Sequence, residues 1–125
     1  ILQPGSIILL DDLDYEDDRY TLLPGQNKEL GYLLNLLKDR PGLTVVLENH
    51  TETNGPAEYN QDLSRGRVAA IRDFLVARGI RPDRLQVIAH GESVPRNNCG
   101  DNEGCPFEDH LRNRRTEVRI ISMGL

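Results

Sequence analysis

The chain has 125 residues, 38% hydrophobic and 28% charged, with two phenylalanines, four tyrosines and no tryptophan. That is enough for one compact domain whose core must be filled by leucine, isoleucine and valine, and it is too apolar and too periodic for a disordered chain. The net charge of −5 is uneven: residues 1–62 carry twelve acids and four bases, residues 63–125 eight acids and eleven bases, and thirteen of the fifteen bases are arginine. A nucleic-acid binder would show an uninterrupted basic face, so that class is excluded. The pattern suits a local anion site, because the guanidinium fork matches a carboxylate. The longest apolar runs, such as Ile7–Leu10, are far shorter than the ~20 residues of a membrane-spanning helix. The chain opens on Ile1 and shows no signal sequence, which reads as one domain, residues 1–125, excised from a longer mature protein.

In chain order, Ile7–Leu10 reads as a strand and is followed by the acidic run Asp11 to Asp18. Pro24 and Gly25 mark a turn. Leu30, Leu33, Leu34 and Leu37 fall at helical spacing, and Pro41-Gly42 stops that helix. Leu43 to Glu48 reads as a buried strand, and Asn49 to Pro56 as a polar loop. A second helix is expected from about Glu58 to Arg78, with Val68, Ile71, Phe74 and Leu75 on its apolar side and Gly79 as its C-terminal cap. Leu85 to Ala89 makes a third strand. A loop of about twenty residues holds both cysteines, and Thr116 to Met123 closes the chain as a strand. Alternating strands and helices predict an α/β two-layer sandwich, with at least two strands parallel because the crossovers are long enough.

Four segments carry the chemistry: Asn49-His50-Thr51-Glu52; Asn60 with Leu63-Ser64-Arg65-Gly66-Arg67; His90-Gly91-Glu92 with Pro95; and Asn113-Arg114-Arg115-Thr116-Glu117. In this order they resemble the OmpA-like peptidoglycan-binding domain, the family of outer-membrane protein A, the peptidoglycan-associated lipoprotein and MotB. The family pattern runs G-H-T-D, N-x-x-L-S-x-x-R-A, G-x-G-E-x-x-P and N-R-R-V-E, and the resemblance covers about residues 7 to 123. It implies a βαβαβ-type fold, a mixed sheet of about four strands under two main helices. It also implies non-covalent binding of peptidoglycan through the diaminopimelate of the stem peptide, which anchors the outer membrane or an envelope complex to the cell wall. The location implied is the periplasmic side of the outer membrane of a Gram-negative bacterium. Membrane attachment would come only through parts outside this chain, and other envelope proteins are further partners.

Carried over by position, the resemblance assigns ligand binding to Thr51, Glu52, Asn60, Leu63, Arg67 and Arg114. Diaminopimelate ends in an ammonium and a carboxylate, so its site needs an acceptor, Glu52, close to a bidentate donor, Arg67. Arg67 is expected to be partly exposed, as charged helix residues usually are; its bland reading is a surface pair with Asp62 or Asp73. His50 reads as a loop-packing residue with no titration partner in the sequence. Arg114 or Arg115 could instead pair with Glu117 at the strand edge. Two departures stand out: Asn49 replaces glycine, and Glu52 replaces aspartate. The added methylene moves the carboxylate by about 1.5 Å, comparable to a hydrogen-bond tolerance; it either tunes the site to a different diamino acid or diaminopimelate stereoisomer, or is absorbed by a shift of the loop backbone that leaves the preference unchanged.

Cys99 and Cys105 lie in a glycine- and proline-rich turn. In the oxidising compartment that the resemblance implies, a disulfide between them is expected. The C-x₅-C spacing is not that of a zinc knuckle, even with His90 or His110 nearby, so no metal and no cofactor is expected. Glu48 and Glu52 beside His50, or Glu92 beside His90, could be drawn as acid–base pairs. No nucleophile motif, helical zinc motif or phosphate loop accompanies them, so an enzyme is not expected. A third reading keeps the fold as a protein–protein docking module in an envelope or secretion complex.

Overall fold

The computed structural model describes residues 2–10, 22, 28–51, 56–93 and 115–124. They form β1 (Ile7–Leu10), α1 (Lys28–Asp39), β2 (Thr44–His50), α2 (Ala57–Ala77), a 3-10 turn (Pro82–Arg84), β3 (Leu85–Gly91) and β4 (Arg115–Ser122). The strands make one mixed sheet in the order β1-β4-β2-β3. β2 and β3 are parallel, as a strand–helix–strand crossover through α2 requires, and β4 runs antiparallel to both β1 and β2. The α/β two-layer sandwich expected from the element order is the fold found.

Side chains alternate across the sheet, so Leu10, Val45, Leu47, Val118 and Ile120 share the face covered by the helices. Leu30, Leu33 and Leu37 of α1 and Val68, Ile71 and Leu75 of α2 complete that core. α1 has Glu29 in its first turn and Lys38 in its last, each complementing the helix dipole. α2 ends as the sequence suggests. Gly79 takes φ +102°, its N–H donates to Val76 O and the Ile80 N–H to Leu75 O, satisfying two terminal carbonyls.

The strands run further at one end than the sequence pattern indicates. β2 continues through Asn49 and His50, and β3 through His90 and Gly91, although these polar residues read as loop. Sheet pairing overrides their composition: Asn49 and His50 are paired on both sides, to β3 and to β4.

One arginine closes the other end of the layer. Arg84 donates from Nε to Leu43 O at 2.9 Å and from Nη2 to Leu37 O at 2.7 Å and Arg40 O at 2.6 Å. It thereby caps carbonyls at and beyond the end of α1 that no helical N–H can reach. Replacing Arg84 with Met, which keeps the stem, should cost about 2 kcal/mol, the scale of hydrogen bonds to a charged donor. Thermal unfolding followed by circular dichroism should show a lower midpoint, and Arg84→Lys should recover only part of it. An unchanged midpoint in Arg84→Met would show that the cap contributes nothing.

Candidate ligand-binding site

The inward face of α2 changes character along its length. Asn60, Leu63, Ser64, Arg67, Val68, Ile71 and Leu75 are all buried, polar apart from Leu63 in the first half and apolar in the second. The neighbouring strands change the same way towards the same end. β2 passes from Val45 and Leu47 to Asn49, and β4 begins with Arg115 and Thr116 before Val118 and Ile120. The buried polar and charged side chains among the described residues are Glu48, Asn49, His50, Thr51, Asn60, Ser64, Arg67, Arg115 and Thr116. All belong to the half of the domain where β2 and β3 end, β4 starts and α2 begins.

Hydrogen bonds join these elements to one another. Asn60 Nδ2 donates to Glu92 Oε1 at 3.0 Å, and Gln61 Nε2 to Ala89 O at 2.7 Å, tying the first turns of α2 to the exit of β3. The Thr51 N–H donates to Gly91 O at 2.8 Å, tying the exits of β2 and β3 together. Ser64 Oγ donates to Asn49 O at 2.8 Å, and Asn49 Nδ2 to Thr116 Oγ1 at 3.0 Å. Gly91 has to be glycine: its φ is +57°, and a Cβ there would stand 2.8 Å from Gln61 Oε1 and 3.1 Å from Gln61 Cα.

A second cluster lies on the opposite face of the sheet, at the same end. The His50 and His90 rings stack, with centroids 4.4 Å apart and planes 9° from parallel. His90 Nε2 lies 2.8 Å from Glu48 Oε1, whose other oxygen is 3.1 Å from Arg119 Nη2. His50 Nε2 is 3.2 Å from Glu117 Oε2 without hydrogen-bond alignment, and Arg115 Nη2 is 3.6 Å from the same oxygen. Burial first, then Arg115 and His90, push the His50 pKa from 6.5 down to about 3, so the ring is neutral at physiological pH.

Of the residues assigned from the sequence, the structure brings Thr51, Asn60, Leu63 and Arg67 into one buried layer. Glu52, Arg114, Cys99 and Cys105 lie outside the described residues, as do the acidic run and the Pro24-Gly25 turn. Two expectations are corrected. Arg67 is not partly exposed but 3% exposed, because its position on α2 follows Asn60, Leu63 and Ser64 on the inward stripe. His50 is not loop packing; it ends a central strand and has both a ring partner and a carboxylate beside it. Asp62, offered as a partner for Arg67, pairs with Arg65 instead at 2.9 Å. The sequence reasoning missed Ser64, Gln61 and the pairing of Asn49 with Thr116. The Ser in L-S and the Glu in H-G-E were visible signals for the contacts of Ser64 and Glu92.

Among the described residues, no group of three or more His, Cys, Asp or Glu is placed to hold a metal ion. A hollow of about 450 Å³ on α1, lined by Tyr32, Asn35, Leu36, Asp39 and Arg40, shares no residue with the polar layer.

A family model described as the OmpA family matches residues 15–107. The chain belongs to the OmpA family. This OmpA-like domain is 31% identical over 99 residues to the peptidoglycan-associated lipoprotein of Mesorhizobium japonicum, covering 79% of this chain and 59% of that protein. It spans between 26% and 59% of the length of relatives such as this lipoprotein and outer membrane porin F of two Pseudomonas species. Its fold superposes on a MotB-like protein from Desulfovibrio vulgaris with a TM-score of 0.74 at 22% identity, covering 93% and 76% of the two chains. It also superposes on the cell wall anchor of the T6SS from Pseudomonas aeruginosa, with a TM-score of 0.70 at 19% identity and coverage of 95% and 82%. These last two likenesses are of fold.

The neutral His50 has a consequence for stability. Above pH 6.5 folded and unfolded chains both hold it neutral; between about 3 and 6.5 only the unfolded chain takes the proton. Stability should therefore fall as pH drops through that window, by up to about 1.4 kcal/mol per pH unit from this group. Urea unfolding at pH 7, 6, 5 and 4 should show a steeper loss in the wild type than in His50→Gln. Parallel curves for the two proteins would show that His50 titrates normally.

Proposed function

We propose that this OmpA-like domain binds peptidoglycan non-covalently, taking the diaminopimelate of the stem peptide as its ligand. The observation that carries the reading is the buried Arg67, set on α2 in the same buried layer as Asn60, Leu63 and Thr51. A helix tilts its side chains towards its own N-terminus, so Arg67 leans towards the turns bearing Asn60 and Leu63 and the end of β2. In this reading the guanidinium holds the ligand's carboxylate in a two-pronged bond, and Glu52, fifteen residues earlier, accepts from its ammonium. Arg114, Asn60 and Thr51 contribute polar contacts, and Leu63 forms an apolar wall. The name of one relative, the peptidoglycan-associated lipoprotein of Mesorhizobium japonicum, supports the same ligand class.

The domain thereby anchors an outer membrane or an envelope complex to the cell wall from the periplasmic side. Such a small site should hold a free stem peptide with micromolar affinity. Many copies on an extended polymer raise the effective strength.

Co-sedimentation with purified sacculi tests the reading. Arg67→Lys keeps the charge but loses the fork, and Glu52→Gln keeps the shape but loses the charge. Each should lower binding by about tenfold or more, the scale of one lost charge-assisted bond. Circular dichroism confirms that both variants fold. In calorimetry a lysine-containing stem peptide, which lacks the terminal carboxylate, should bind at least as poorly. Wild-type retention by both variants removes the site. No co-sedimentation of the wild type favours a docking module, and release of soluble fragments a hydrolase.

A further inference from the structure

We propose that Asn49 and Thr116 form a positioning pair that sets the geometry of the stem-peptide site; the proposal rests on the function proposed above. The two residues face each other across the β2–β4 ladder and are 3% and 2% exposed. Asn49 Nδ2 donates to Thr116 Oγ1 at 3.0 Å, 67 positions away in the chain. The hydroxyl can donate or accept, so the bond survives either orientation of the amide. Asn49 Oδ1 is buried and has no donor among the described residues, which leaves the Thr116 hydroxyl as the hold on this side chain there. The Asn49 backbone oxygen accepts from Ser64 Oγ, so one residue links β2 at once to β4 and to α2.

The place of the pair gives it leverage over the site. Asn49 is two residues before Thr51 and three before Glu52; Thr116 is two after Arg114. Ser64 sits one turn before Arg67 on the inward stripe of α2. The three elements proposed to carry ligand groups therefore meet at this hydrogen-bonded junction. In the family pattern quoted above, glycine stands where this chain has Asn49 and valine where it has Thr116. Neither of those residues can form this bond. A lone asparagine under α2 would bury an amide without a partner, and a lone threonine a hydroxyl, each of which is costly. Together they give the Asn49 amide N–H an acceptor and the Thr116 hydroxyl a donor. We read them as one compensated change that locks the spacing of strand ends which the pattern leaves to packing alone.

Thr116→Val removes the hydroxyl and keeps the shape, and Thr116→Ser keeps the hydroxyl. Two quantities are read in each protein: affinity for a diaminopimelate stem peptide, and amide hydrogen exchange at Thr51 and Arg115. Thr116→Val should bind about tenfold more weakly, the equivalent of one buried hydrogen bond, and exchange faster at both amides. Thr116→Ser should match the wild type in both. In the Thr116→Val background, Asn49→Ala should add little further loss, since the pair acts as a unit. A lower melting temperature in Thr116→Val with unchanged affinity and exchange makes the bond purely stabilising and overturns the proposal. If the wild type does not bind while exchange still responds to Thr116→Val and not to Thr116→Ser, the positioning stands and the ligand assignment falls. If the wild type binds and Thr116→Val changes neither affinity nor exchange, the positioning falls and the ligand assignment stands; if the wild type does not bind and exchange is also unchanged, both fall.

Discussion

The constraint on which the rest of the structure depends is the burial of a polar layer at one end of an otherwise apolar sandwich. Each buried donor or acceptor left without a partner costs about 1–3 kcal/mol, a large share of the 5–15 kcal/mol that holds a domain together. The layer is therefore possible only if its groups bond to one another. Those bonds run between elements: α2 to β3 through Asn60 and Gln61, α2 to β2 through Ser64, and β2 to β4 through Asn49. Hydrogen bonds are directional where hydrophobic contacts are not, so the layer fixes how α2 lies on the sheet. The apolar half, from Leu47 and Val118 to Leu75 and Leu85, supplies the non-directional stabilisation that the layer does not.

The outer face of the same strand ends follows a related logic with charges. Arg119, Glu48 and His90 form one chain of contacts, and Arg115, Glu117 and His50 another, joined where the two rings stack. Two imidazolium rings 4.4 Å apart would repel, and the neutral state of His50 avoids that. The register shift between Asn49 and His50 aligns His50 with Gly91 rather than His90, and the stacked pair lies beside that irregularity. A neutral ring held there separates the two ion-paired groups without adding a charge to either.

How far the sequence could be read depended on which signal each segment carried. Leu30, Leu33 and Leu37 announce a buried helix face by spacing, and Gly79 its neighbour's end, so both helices and the sequence of elements along the chain were legible. The last residues of β2 and β3 were not, because Asn49, His50 and His90 have the composition of a loop and become strand through pairing with distant segments. Arg67 shows the same limit. A charged residue on a helix is usually solvated, and only the stripe it shares with Asn60 and Ser64 puts it inside. The four-part motif pointed to Thr51, Asn60, Leu63 and Arg67 together. It could not point to Asn49 and Thr116, where this chain departs from the pattern and the meaning of each departure lies in the other.

The uneven charge of the chain acquires a structural sense from the strand order. β4, from the basic half, lies between β1 and β2, from the acidic half, and Arg119 on it meets Glu48. Arg84 is likewise committed to the carbonyls around the end of α1. A domain of net charge −5 would not draw an anion from a distance. Fields from exposed charges fade within a Debye length of about 8–10 Å in any case. A ligand bearing one ammonium and one carboxylate offers no net charge to steer. Discrimination has to arise at contact, from the separation of acceptor and donor and from the water excluded around them. A buried, hydrogen-bonded frame suits that task better than a charged surface, because it holds distances fixed where a field only sets direction.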